Sequence, residues 1–347
     1  MEDLLRKTIG GIEGVALDIV NAASGKLKEK LSEAFALERL KIFVENTERI
    51  GYVKTILNPD TIKKLDEIYF DKTISYDSCH FESFSQFRRS HILIEGGPGQ
   101  GKSLFLRKLC LNEAKGNSLI PIFIEFRNLK FGKSLKIELI EAINELGVNL
   151  DVRLFDFVAK SNKVVFFLDG FDEIPNNLRK KAARELENIA RTYPDLKILI
   201  SSRPDAGMGT SYYFTKIKID PMSIATQKEF IEYIYECPYQ CKSIQDILDS
   251  SEFLSEVTIS PLLLTLFAIT YNSRQFKPDS LSEFYSLIFP TMLYRHDRMK
   301  VGFERKRASN LTDFQMQKVF ESLSFLSLQE NKTRFSSYDF SAYLEQV

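Results

Sequence analysis

The chain has 347 residues, enough for two or three domains, because a single apolar core stops growing below that length. Its hydrophobic and charged fractions, 44% and 27%, are those of an ordinary globular protein. Lysine plus arginine balances aspartate plus glutamate at 47 each, and a net charge of zero argues against a protein that coats nucleic acid.

Residues 1–50 place Leu5, Ile9, Ile12, Ala16, Ile19 and Ala23 at helical spacing, followed by Leu27, Leu31 and Phe35. Gly10, Gly11 and Gly14 weaken this pattern, since each costs roughly 1 kcal/mol in a helix. The pattern predicts a small helical domain or partner-binding helix, in preference to a membrane-surface helix. Met1-Glu2-Asp3 lacks the basic and apolar parts of a signal peptide. The longest apolar run, near Val257–Thr270, is too short to span a bilayer. The cysteines, Cys79, Cys110, Cys237 and Cys241, are scattered and read as free thiols. Cys237-x-x-x-Cys241 has no second pair at metal-binding spacing, and Cys79-His80 lies far from it. A cytoplasmic chain with no membrane span is the expectation.

Residues 51–90 form a lead-in with turns such as Asn58-Pro59-Asp60, and Phe81, Phe84 and Phe87 recur every three residues at its end. No basic groove flanks these rings, so they read as core packing and not as a platform for bases. From His91 onward, strands alternate with helices, the pattern of a parallel α/β sheet. The stretches 119–126, 163–169, 197–201 and 213–219 read as strands that follow a first one ending before Gly96. Leu135, Leu139, Ala142, Ile143 and Leu146 mark one helix, and Leu178, Ala182, Leu186, Ile189 and Ala190 another.

The first strand runs into Gly96-Gly97-Pro98-Gly99-Gln100-Gly101-Lys102-Ser103, the pattern GxxxxGK[ST] of a phosphate-binding P-loop. Glycines let backbone N–H groups close around a polyphosphate, because no Cβ blocks the approach. Lys102 is placed to reach the β- and γ-phosphates, and the Ser103 hydroxyl to hold Mg²⁺. A helix opening at Leu104 turns the positive end of its dipole toward the anion.

The third strand ends Val164-Val165-Phe166-Phe167-Leu168-Asp169, an apolar run closed by a carboxylate. That is the Walker B arrangement, and Asp169 would hold Mg²⁺ through its water shell beside Ser103. Asp172 and Glu173 follow, suited to orient or deprotonate an attacking water. The plainer alternative for these two is a charged turn opening a helix. Arg203, at the tip of the fourth strand, is a candidate to sense a γ-phosphate with its planar fork; otherwise it is a surface arginine closing a strand.

After Asp220 the strand pattern stops, and residues 225–297 read as helices rich in phenylalanine, leucine and tyrosine. The polar stretch 298–310 reads as a linker, and the bases of Arg295–Arg307 as solvated rather than bound to nucleic acid. Phe314, Val319, Phe320, Leu323 and Leu326 begin a further helix.

These motifs resemble the NACHT family of STAND-type P-loop NTPases, including bacterial NACHT antiphage-defence proteins. The resemblance rests on Gly170 directly after Asp169 with acids at Asp172 and Glu173, and on Ser202-Arg203-Pro204 as sensor 1. It rests also on Ile219-Asp220-Pro221-Met222-Ser223 with Gln227, and on Ser260-Pro261-Leu262-Leu263-Leu264, in which Pro261 would pack against base and sugar. Ile56-Leu57-Asn58-Pro59 through Tyr69 is similar to the lead-in of bacterial members.

The resemblance implies a five-stranded P-loop sheet flanked by helices, a helical domain and a winged-helix domain. The corresponding divisions are 1–50, 51–90, 91–222, 223–309 and 310–347, the last apparently incomplete. The winged-helix histidine of the family has no counterpart, His296 falling too early. The implied function is a switch held closed by ADP and opened by ATP, with Mg²⁺, slow hydrolysis and self-association on activation. Trigger ligand and effector partner are not legible. The competing expectations are a catalytic NTPase or phosphotransferase acting on a small molecule, and a scaffold that binds nucleotide without hydrolysing it.

Overall fold

The computed structural model describes residues 2–71, 81–116, 118–204, 206–274, 276–299 and 311–329. Cys79, His80, Arg305, Lys306 and Arg307 lie outside these residues, as does everything after Gln329. The chain divides into two compact units. One comprises Met1–Val53, Lys63–Glu236 and Ile259–Leu262, and the other Lys54–Ile62, Cys237–Thr258 and Leu263–Val347.

The first unit is built on a five-stranded sheet of β3 (His91–Glu95), β4 (Ile120–Glu125), β5 (Val164–Asp169), β6 (Lys197–Ser202) and β7 (Thr215–Lys218). Its order is β4-β5-β6-β3-β7, with every neighbouring pair parallel. β3 and β5 are buried along their whole length, as parallel strands covered on both faces must be, which explains their unbroken apolar runs. Pro121 is tolerated because β4 is an edge strand. The strands match the sequence expectation, with ends moved by one or two residues. A short antiparallel pair, β1 (Tyr52–Val53) with β2 (Lys63–Lys64), was not anticipated.

Alternate residues feed two cores, as the strand period of two requires. On one face Ile92, Ile94, Phe123, Val165, Phe167 and Leu199 pack with Phe105, Leu106, Leu109 and Cys110 of α5 (Lys102–Gly116). Phe84 and Phe87 are buried in that core and Phe81 stacks on Phe87 at 4.3 Å, so the three rings serve packing. The other face joins Leu93, Ile122, Phe166, Leu168 and Ile198 to Ile12, Ile19, Leu31 and Phe43 of the N-terminal helices. These are α1 (Glu2–Asn21), α2 (Gly25–Ala34) and α3 (Leu37–Arg49). α1 runs unbroken through Gly10, Gly11 and Gly14 because its apolar stripe is anchored in this core, where burial outweighs propensity.

Between the strands lie α6 (Leu135–Glu145), α7 (Val152–Lys160) and α8 (Asn176–Thr192). The sequence reading missed α7, whose signals are Asp151 accepting from the Leu154 N–H at 2.8 Å and the buried Leu154, Phe155, Val158 and Ala159. α4 (Leu65–Ile68) and α9 (Ile224–Ile234) complete the helices of this unit.

The second unit is helical: α10 (Pro238–Ser250), α11 (Glu252–Val257), α12 (Pro261–Arg274) from Leu263 onward, α13 (Leu281–Met299) and α14 (Asp313–Gln329). Phe267 and Phe284 stack at 6.2 Å, with Ile244, Leu248 and Leu254 also buried. Among the described residues Cys110, Cys237 and Cys241 form no disulfide, no cluster of acids, histidines and cysteines suits a metal ion, and no helix is long and apolar enough to cross a membrane.

Phe43 is fully buried against the sheet, so Phe43→Ala should cost about 3–5 kcal/mol. Urea denaturation followed by circular dichroism should show the whole first unit losing stability together. A separate early transition confined to the N-terminal helices would instead mark them as an independent piece.

Candidate nucleotide site

The parallel register brings the carboxyl ends of β3, β5 and β6 to one edge, where ligands of open α/β sheets bind. The loop from Gly96 to Gly101 crosses this edge and runs into α5. Gly99 and Gly101 adopt φ of 74° and 85°, a left-handed region that side chains resist. At Gly99 the need is also steric, because an added Cβ would sit 2.5 Å from the Cβ of Leu262. The Leu262 N–H donates to the Gly99 carbonyl at 3.2 Å, which brings Pro261, its chain neighbour, to the loop. At Gly96 an added Cβ would meet the side-chain Oε1 of Gln100 at 2.5 Å. That oxygen accepts from the Gly97 N–H at 2.6 Å.

Lys102 donates to the carbonyls of Gly96 and Gly97, both at 2.8 Å, so its ammonium lies over the loop. Burial lowers its pKa from the ordinary lysine value; Asp172 and Asp169 oppose that shift, and Arg203 adds to it. The three groups therefore lie within electrostatic reach of the lysine. Pro98 and Leu104 take their places in the loop and in the first turn of α5.

Asp169 is buried at the tip of β5, where its Oδ1 accepts from Ser103 Oγ at 3.1 Å and also from Ser201 Oγ. Ser201 Oγ accepts in turn from the Gly170 N–H at 2.8 Å. Burial raises the Asp169 pKa, and the hydrogen bonds from Ser201 and Ser103 oppose the rise. Gly170 has φ of 77°, and an added Cβ would press on the Glu173 side chain at 3.1 Å. Glycine suits this turn through its left-handed backbone, and any Cβ there would push the Glu173 side chain aside.

The two acids are held differently. Asp172 accepts from the Arg203 N–H at 3.0 Å and pairs with Arg203 Nε at 2.9 Å. Glu173 takes no such partner in that pair. Burial raises its pKa, Arg127 lowers it, and Asp169, Asp172 and Glu125 raise it further. Arg179 of α8 fixes the turn between them, donating to the carbonyls of Ile174, at 2.8 Å, and of Asp172.

The sequence-derived residues thus gather at one edge: the loop with Lys102 and Ser103, then Asp169, Asp172, Glu173 and Arg203, with Pro261 beside Leu262. Sequence reasoning missed Ser201, Arg179 and Glu125. Glu125 closes the apolar run of β4 as Asp169 closes that of β5, and the two are register partners. That parallel was the available signal. The position of Ser201 carried none, because its partners Gly170 and Asp169 lie far away in the chain, and Arg179, which reaches back only to Ile174 and Asp172, looked like any other base on an exposed helix face.

The residues fit a nucleotide polyphosphate and its metal. Glycine amides and an ammonium suit phosphate. Ser103 Oγ and Asp169 Oδ1 are hard oxygen donors 3.1 Å apart, of the kind Mg²⁺ prefers.

The raised pKa of Asp169 has a consequence for stability. The folded state binds its proton more tightly than the unfolded chain, so ionisation of Asp169 disfavours the fold as pH rises above the ordinary carboxylate range. Asp169→Asn should therefore raise stability at neutral pH by about 0.5–2 kcal/mol, a gain that shrinks on acidification. Thermal melts at pH 7 and pH 4 without nucleotide check both statements.

The NACHT domain family matches residues 90–236. No curated protein matches the chain. Among solved structures, domain III of the Thermotoga maritima replication initiation protein DnaA is similar at 14% identity and TM-score 0.36, covering 59% of this chain and 85% of that one. C. elegans PCH-2 is similar at 12% identity and TM-score 0.30, covering 59% of this chain and 61% of that one. Likenesses this low leave the fold to rest on the strand order and register described above. With a five-stranded parallel sheet, a P-loop, and a carboxylate opposite its serine, residues 90–236 match the NACHT domain family and carry the architecture of a nucleotide-binding P-loop NTPase.

Proposed function

We propose that the chain is an ATP-binding switch that hydrolyses ATP slowly and self-associates when ATP replaces ADP, in innate or antiphage defence signalling. The observation that carries this reading is the engagement of both candidate phosphate-sensing cations within the site. Lys102 is bound to the Gly96 and Gly97 carbonyls, and Arg203 is bound to Asp172. A γ-phosphate competes for both cations, so its arrival exchanges one set of contacts for another.

Moving a two-state equilibrium from 1:99 to 99:1 takes about 5.5 kcal/mol of differential affinity. Charge-assisted hydrogen bonds are worth roughly 1.5–3 kcal/mol each, and those from Lys102 and Arg203 to a γ-phosphate drive the switch by the amount they exceed the contacts with Gly96, Gly97 and Asp172 that they replace. The defence role and the self-association rest on the resemblance of Gly170, Asp172, Glu173, Arg203 and Pro261 to the family's motifs.

For hydrolysis, Ser103 and Asp169 are the residues that would hold the metal. Mg²⁺ supplies charge neutralisation across the phosphates. Glu173 is the better placed base, because Asp172 is already committed to Arg203. Its raised pKa brings it nearer to neutrality, where a base accepts a proton most usefully. Glu173 takes the proton from the water whose oxygen bonds to the γ-phosphorus, and ADP leaves.

Glu173→Gln should slow hydrolysis about 10²–10⁴-fold and leave nucleotide affinity near that of the wild type. Lys102→Ala should weaken binding itself. Size-exclusion chromatography with light scattering, in ADP and in a non-hydrolysable ATP analogue, should show a larger species only with the analogue, and none for Lys102→Ala. Steady multiple turnover by the monomer would sink the switch and favour a catalytic NTPase or phosphotransferase. Unchanged hydrolysis by Glu173→Gln would remove the role given to that residue.

A further inference from the structure

Arg107 lies four residues after Ser103 on α5, one turn along the same face of the helix. Its guanidinium donates in two directions, from Nη2 to Glu125 Oε1 at 2.8 Å and from Nη1 to the Ile50 carbonyl at 3.0 Å. Its plane also covers the Phe123 ring at 5.1 Å. The side chains of Arg107 and Glu125 are only 18% and 17% exposed, so water screens this pair little. Lysine could not replace the arginine fully, because one ammonium does not present a planar fork to two acceptors on opposite sides.

Both acceptors sit at informative places. Ile50 ends α3, and carbonyls there carry the negative end of the helix dipole, where a cation is favoured. Gly51 follows in tight contact with α5, since an added Cβ would lie 3.0 Å from the Leu111 side chain. Glu125 stands opposite Asp169 in the sheet, and it accepts also from Arg127 at 2.7 Å and from Asn128 at 3.2 Å. The Glu125 charge raises the pKa of Asp169 and of Glu173, whereas Arg107 lowers the first and Arg127 the second. Of the two arginines that neutralise Glu125, Arg127 is 55% exposed, and Arg107 is the one fixed by packing.

We infer that Arg107 is a positioning residue for hydrolysis: it fixes and neutralises Glu125 beside the Asp169 and Glu173 carboxylates and ties that group to the end of α3. This rests on the hydrolytic reading above. Without Arg107, Glu125 keeps only the exposed Arg127 as its ion-pair partner and brings a less neutralised negative charge against the place where phosphate charge has to be stabilised. With Arg107 in place, two hydrogen bonds through one guanidinium link the end of α3 to the reacting end of the sheet.

The experiment uses the full chain as wild type, Arg107→Ala, Arg107→Lys, Glu125→Gln and the double variant Arg107→Ala/Glu125→Gln. It measures kcat and KM for ATP, affinity for a fluorescent ATP analogue in EDTA, and melting temperature. Arg107→Ala should lower kcat about tenfold and leave KM and the EDTA affinity within about twofold. Arg107→Lys should recover part of kcat, and the double variant should return it to within about threefold of wild type, because the charge that needed neutralising is gone. A double variant as slow as Arg107→Ala, with its melting temperature recovered, would overturn the inference and leave the pair a packing element. A wild-type kcat in Arg107→Ala would overturn it as well. If Arg107→Ala does not fold, Arg107→Lys against Arg107→Lys/Glu125→Gln gives the same comparison. Absence of hydrolysis in the wild type would defeat the hydrolytic reading first, and this inference with it.

Discussion

A carboxylate is buried at the end of β5, and the arrangement around it follows from that burial. Asp169 loses most of its water, which disfavours its charged form, and two hydroxyls, Ser103 and Ser201, return part of the lost solvation. Ser103 comes from the P-loop helix and Ser201 from the neighbouring strand, so a single acid pins three elements together. Ser201 also takes the Gly170 N–H, which sets the turn after the strand. A buried acid with two donors is costly to the fold and useful to a metal, which is how functional sites commonly trade stability.

The turn that follows is constrained in the same way. Gly170 needs its left-handed backbone because Glu173 folds back over it, and Arg179 holds the carbonyls on either side of that residue. The two acids are separated by their partners rather than by distance along the chain. Asp172 is tied to Arg203, and Glu173 lies in the field of Arg127 and the neighbouring carboxylates. Identical chemistry three and four residues after Asp169 therefore has two different characters.

The N-terminal helices are bound up with this edge by packing and by charge. Ile12, Ile19, Leu31 and Phe43 share a core with alternate residues of the sheet. Arg107 then connects the end of α3 to Glu125, through a hydrogen bond to the Ile50 carbonyl and a largely buried ion pair. Ion pairs of this kind add little net stability but strongly favour one arrangement, because removing either partner leaves a charge exposed to a poor solvent.

Much of this was legible beforehand. The unbroken apolar runs of β3 and β5 fixed parallel strands, since only strands covered on both faces can be apolar throughout. Gly96 through Ser103 and the aspartate closing β5 announced a phosphate site by residue type and spacing alone, because local backbone chemistry determines such a cradle. What the sequence could not decide was long-range partnership. The pairing of Asp172 with Arg203, the hydroxyl of Ser201 on Asp169, the contact of Gly99 with Leu262 and the double bond-making of Arg107 join positions separated by tens of residues or more. α7 was missed because its apolar stripe is short, and α1 looked weak because glycine propensity is visible in a sequence while its burying core is not. Local patterns determined which groups would bind phosphate. Only the tertiary structure, through burial and register, decided which of them are free to do so and which already hold one another.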